Sequence, residues 1–120
     1  MNESIDSLVA GISGKVKKII QQGNITIVLF TVHSQNEGDC YTDWNIVGID
    51  NTPTIIWRAN PSPEVSLEGD LVFTNIYIGE NGRLMAYAWK GYDYLIDESN
   101  GQVRRWHDPS WPPGYKPRPW

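Results

Sequence analysis

With 120 residues, 40% of them hydrophobic and 20% charged, the chain has the length of one ordinary domain and the composition of a globular one. No apolar run approaches the roughly 18 residues of a membrane span, residues 1–15 lack the layout of a signal peptide, and the single cysteine, Cys40, excludes an internal disulfide. The formal net charge of −4 conceals a division: residues 1–103 carry six basic and thirteen acidic side chains, a balance of −7, whereas residues 104–120 carry Arg104, Arg105, Lys116 and Arg118 against Asp108, a balance of +3.

β-Branched and aromatic residues dominate, and Gly or Pro interrupts almost every window long enough for a stable helix, so the pattern predicts an all-β chain. Residues 5–10 read as a short N-terminal turn or helix, capped by Asn2 or Ser4. Residues 12–20 and 24–34 make a first hairpin, with Gly23 supplying positive φ in the turn Gln21-Gln22-Gly23-Asn24. Its second arm is apolar on both faces over residues 25–32, as a strand within a barrel or under a covering segment must be. Residues 36–50 hold Glu37, Asp39, Asp43 and Asp50 without a Lys or Arg, and read as a solvated loop or acidic insertion. Residues 54–59 form a third strand, with Ile55 and Trp57 on one side and Ile56 and Arg58 on the other, ended by Pro61 and Pro63. In a fourth strand, residues 71–78, Val72, Ile76 and Ile78 suit a core and leave Phe73 and Tyr77 on the opposite face. Asn81-Gly82 signals a type I′ hairpin turn. Residues 83–89 return from it with Leu84, Ala86 and Ala88 on one face and Arg83, Met85, Tyr87 and Trp89 on the other. A last hairpin, residues 92–96 and 102–106, turns at Asn100-Gly101. Residues 106–120 then hold five of the eight prolines and three of the six tryptophans, which predicts an extended, polyproline-like tail. The expected organisation is an N-terminal segment 1–10, a β domain 11–106 and a tail 107–120.

Strands of this spacing predict a small five-stranded Greek-key barrel with an extra C-terminal hairpin. Over residues 11–90 the chain resembles the OB-fold family, which includes single-stranded DNA-binding proteins and anticodon-binding-like domains. The residues that carry the resemblance are Gly14-Lys15-Val16-Lys17-Lys18-Ile19-Ile20, the hydrophobic second strand, and Leu67-Glu68-Gly69-Asp70-Leu71-Val72, followed by a hairpin whose second arm reaches Ala86. It implies a ligand-binding face on the second and third strands and their flanking loops.

Single-strand binders combine cations that follow the phosphates with rings on which bases stack, each stack worth about 1–3 kcal/mol. The candidate cations are Lys15, Lys17, Lys18, Arg58, Arg83 and Lys90; the candidate rings are Phe73, Tyr77, Tyr87 and Trp89, with Trp57 nearby. The leading expectation is therefore a non-catalytic module for single-stranded DNA or RNA, opposed by the acidic body. The alternative is a protein-interaction or self-assembly subunit that docks through Trp106, Trp111, Tyr115 and Trp120 of its tail. In ending on Pro119-Trp120 that tail is similar to the C-terminal peptides by which single-stranded DNA-binding proteins recruit partners. No glycine-rich phosphate loop or nucleophile–base spacing points to an enzyme, and one cysteine with two histidines is too few for a zinc signature, so neither a cofactor nor a metal is expected. The expected location is cytoplasmic, with no membrane partner.

Overall fold

The computed structural model describes residues 14–34, 38–79 and 82–106. The expectations for residues 5–10, for Glu37, for Asn81 and for Trp111, Tyr115 and Trp120 lie outside them. Among the described residues the fold is all-β, with ten strands in two five-stranded sheets and no closed barrel. The first sheet contains β1 (Gly14–Gln22), β2 (Ile25–Ser34), β3 (Gly38–Cys40), β4 (Ile46–Ile49) and β5 (Ile55–Arg58). Its order is β1-β2-β4-β5, and β3 also pairs with β2. The second contains β6 (Asn60–Pro61), β7 (Phe73–Ile78), β8 (Leu84–Ala88), β9 (Asp93–Ile96) and β10 (Gln102–Arg105), in the order β6-β10-β9-β8-β7. All pairs are antiparallel except β6 with β10. Among the described residues no helix is long and apolar enough to cross a membrane.

The hairpins form where turn chemistry places them. Gly23 (φ +60°) closes β1–β2, Gly82 (φ +73°) lies in the β7–β8 turn, and Gly101 (φ +76°) ends the β9–β10 turn, each in the left-handed region that glycine enters without steric cost. A single strand direction carries the chain from one sheet to the other. After β5, the Ala59 N–H still donates to Ile46 O (2.9 Å), but the Asn60 N–H donates to Gly101 O (3.0 Å) and the Ser62 N–H to Val103 O (2.9 Å). The four-residue helix α1 (Pro63–Ser66) follows, begun by Pro63 where its missing N–H costs nothing, and plants Val65 in the core.

The two sheets pack face to face. Ile27, Leu29 and Ile46 from the first meet Phe73, Ile76, Leu84, Ala86, Ala88, Tyr94, Ile96 and Val103 from the second. Trp57 reaches into the same core because the positions beside it are glycines: a Cβ on Gly48 would lie 2.3 Å, and one on Gly101 2.5 Å, from its indole carbons. Its Nε1–H donates to Glu98 O at 2.8 Å. Asn45, fully buried, ties the layers together; its Nδ2 donates to Phe30 O (2.9 Å) and Phe73 O (2.8 Å), and its Oδ1 accepts the Phe73 N–H (2.9 Å).

Three expectations need correction. Residues 36–50 are not simply a loop, since they contain β3 and the wholly buried β4, a central strand of the first sheet. Two bulges also overturn the expected alternation. One between Phe73 and Asn75 turns Phe73 into the core beside Ile76, whereas Ile78, on the same side as Ile76 but at the end of the strand, is 39% exposed. The other leaves Ile56 unpaired and exposed between Ile55 and Trp57, so Ile55 and Trp57 face opposite sides.

The first sheet is buried on its outward side as well. Val28, Phe30, Val47 and Ile49, each no more than 2% exposed, form a second apolar cluster with Val16, Val32 and Ile55, and every member belongs to the first sheet.

Candidate binding surfaces

The residues expected to make one aromatic-basic face are spread over separate regions of the molecule. Lys15 and Lys17 lie exposed on β1, Lys17 at a bulge between Val16 and Lys18. Lys18 Nζ donates to Asn75 Oδ1 at 2.9 Å and so joins β1 to the β7 edge of the other sheet. Asn75 pairs with Tyr87, and Tyr77 with Met85, which places Tyr77 and Tyr87 on the outer face of the second sheet along this flank. Phe73 is removed from any ligand surface: it is fully buried, edge-on to Trp44 and Tyr94 with ring centroids 6.1 Å away in each case. Arg58 is engaged locally, its guanidinium 5.3 Å from the centroid of the Phe30 ring and donating to Trp44 O (2.9 Å) and Asp43 O (3.2 Å). Arg83 is exposed at the far end, where with Leu95, Asp97, Glu98 and Arg104 it lines a hollow of about 300 Å³.

Tyr77 sits half-buried and its hydroxyl donates to the Asp93 carboxylate. Burial first, then that hydrogen bond to an acceptor anion, push the phenol well above its ordinary range, so it stays a neutral donor. Tyr94 behaves alike, its hydroxyl donating to Glu68 Oε1 at 2.8 Å. The other carboxylate oxygen of Glu68 takes the Arg105 Nε–H at 2.6 Å, which raises the guanidinium pKa further. Lys90 Nζ donates to the Glu68 carbonyl at 3.3 Å.

These bonds gather several loops at one end of the sandwich. Glu68 holds the link after α1 to the β8–β9 turn through Lys90 and to the end of β10 through Arg105. The Trp89 N–H donates to Val72 O (2.9 Å), and Val72 bridges to Asp43. Here Leu67 is 89% and Trp89 62% exposed, with Tyr41 (40%) on the same loop as Asp43. Trp44 holds a left-handed backbone (φ +51°) unusual for a tryptophan, pinned by its N–H to Leu71 O at 2.8 Å, and its indole N–H donates to Asp70 Oδ1 at 3.4 Å. Half-buried Trp106, whose N–H donates to Asp93 O at 3.3 Å, ends the described chain at this end. The sequence signalled Trp89 through its outward parity in the expected strand 83–89, one residue beyond the end of β8. Leu67 carried no such signal, and Glu68 stood out only as part of a turn motif.

The described residues thus make an all-β, two-sheet domain with an aromatic loop end. The chain belongs to the DUF7957 family, described as a domain of unknown function, whose model matches residues 4–107. No curated protein and no solved structure matches it.

Proposed function

We propose that the protein is a non-catalytic interaction module that assembles with copies of itself, the loop end around Leu67 and Trp89 receiving the Pro/Trp tail of a neighbour. The observation that carries this reading is the exposure of Trp89 and Leu67 on loops anchored through Glu68. Tryptophan is one of the residues in which binding hot spots are enriched. Complementarity supports the tail as ligand. Glu64 and Asp70 stand exposed beside Leu67, while residues 107–120 add Trp111, Tyr115 and Trp120 to Lys116 and Arg118. A tail that binds a different patch on the next copy makes a head-to-tail contact, which closes into rings or extends into filaments.

The mass of the full chain in solution, measured across concentration, tests the idea. Wild type is expected to associate; Trp89→Ala with Leu67→Ser, and separately Trp111→Ala with Trp120→Ala, should each give monomers. A wild type that stays monomeric, or an oligomer indifferent to both pairs of substitutions, would sink it. A monomer in which Trp89 becomes more solvent-accessible after the tail substitutions would assign the contact to the chain's own tail.

A second reading keeps the ligand class that the OB resemblance implied and moves its site to the β1/β7 flank. Its support is the Lys18–Asn75 bond, which joins β1, the strand that carries Lys15, Lys17 and Lys18, to the edge strand that carries Tyr77 and pairs Asn75 with Tyr87. It predicts oligonucleotide binding that weakens with salt and on Lys17→Glu or Tyr87→Ala. Titration at low ionic strength with no binding removes it.

A further inference from the structure

We propose that residues 4–12 of this chain dock, as an amphipathic helix, on the outer face of the first sheet. Val28, Phe30, Val47 and Ile49 are at most 2% exposed although they point away from the second sheet and their cluster contains first-sheet residues only. A sheet face reaches such burial only beneath another layer. Arg58 lies over the Phe30 ring but is itself exposed, and one side chain does not cover four.

The layer must come from chain outside the described residues. Residues 35–37 are committed to the short link between β2 and β3, and residues 80–81 to the β7–β8 turn of the other sheet. That leaves the segment before Gly14 and the tail after Trp106. Ile5, Leu8, Val9 and Ile12 recur at i, i+3, i+4 and i+7, the one-sided stripe of a helix that packs on an apolar surface, with Glu3 and Asp6 near its start. Five prolines deny the tail any comparable helix.

Position and reach agree with the stripe. Gly14 pairs with Val32, a member of the outward cluster, so the segment needs only to turn back over the strand it precedes. Nine helical residues span about 13 Å, close to the width of β1, β2 and β4 at about 4.8 Å per strand. The family match begins at residue 4 and ends at residue 107, so it takes in this segment and leaves residues 108–120 outside. The docked helix occupies the face of the second and third strands on which an OB-type barrel takes its ligand. It confines any partner to the second sheet, the flank or the loop end.

Cys40, the single cysteine, reports on the contact: it pairs with Val32 across β2 and β3, shares the outward face and is half-buried. In the full chain, Leu8→Asp is expected to speed alkylation of Cys40 by about tenfold or more, and Leu8→Ala by less, as the cover detaches. Trp111→Ala with Trp120→Ala should leave the rate unchanged. Hydrogen exchange of amides 5–12, read by mass spectrometry, should show protection in wild type that Leu8→Asp removes while the strands keep theirs. Unprotected amides 5–12 in wild type, an alkylation rate unmoved by either Leu8 substitution, or a rate raised by the tail substitutions would each overturn the proposal. None of these outcomes depends on self-association through the loop end.

Discussion

Asn45 is the side chain on which the meeting of the two sheets depends most directly. Each polar atom of its amide is spent on backbone that β4 and its neighbours leave unpaired: the Phe30 carbonyl in one sheet, the Phe73 carbonyl and N–H in the other. A buried donor stripped of its partner costs about 1–3 kcal/mol, and Asn45→Ala strips more than one group at once. The expected loss is about 3 kcal/mol in urea unfolding, and a loss below 1 kcal/mol would mean that water replaces the amide. Little in the sequence announced this residue, because one asparagine among apolar neighbours reads equally well as a turn. Trp57 was misjudged for a related reason. Its burial depends on Gly48 and Gly101, which approach it only in the folded state.

At the level of elements, the hairpins were legible and the faces were not. Gly23-Asn24, Asn81-Gly82 and Asn100-Gly101 announce turns through local backbone chemistry, which tertiary structure merely uses. β4 was hidden because Asp43 and Asp50 at its two ends dominate the composition of the stretch, although Ile46, Val47 and Ile49 between them are buried. Phe73 was assigned to the wrong side because a bulge resets parity without leaving a mark in the pattern of apolar residues. The same logic makes bulge residues dispensable. Deleting Lys17 leaves Val16 facing outward and Lys18 inward, so a folded chain is expected with a loss of about 1 kcal/mol. Deleting Val28 from the unbulged β2 would invert one half of a central strand and should abolish cooperative thermal melting of the β-sheet circular dichroism. Of the candidate surfaces, the outward parity of Trp89 could be read in advance. The gathering of Leu67, Glu68 and Arg105 could not, since those residues meet only through folding.

Over the whole molecule, charge and phenols set the response to pH. Tyr77 and Tyr94 have pKa values raised above the ordinary 10.0 of a phenol. In the unfolded chain both would lose protons near that value, while in the folded chain they keep them. The unfolded state therefore binds fewer protons as pH rises past about 10, and stability falls from there upward. Titration by ultraviolet absorbance should show these two phenols ionising late and together with unfolding. Tyr77→Phe with Tyr94→Phe should move the alkaline midpoint upward relative to neutral stability. On the acid side, Asp50 and Asp97 accept from Thr52 and Ser99 respectively and are held below the usual carboxylate range. Their small contribution is present above that range and fades as the carboxylates protonate. For the proposed self-association, attraction between the acidic body and the basic tail is screened beyond about 10 Å at 0.1 M, so the measured assembly is expected to weaken as salt is raised.

The strand that passes through Ala59 belongs to both sheets, and this gives the chain an unusual seam. A break at the exposed Gly69-Asp70 would leave one piece with β6 and α1, which belong against β10, and another piece whose sheet lacks that edge. Neither piece could finish its own core, since Val65 and Trp57 on one side fill space walled by Tyr94, Ile96 and Val103 on the other. The two pieces are thus reciprocal templates. A protease nick there need not release either half, and the sandwich lends itself to reconstitution from separately made fragments.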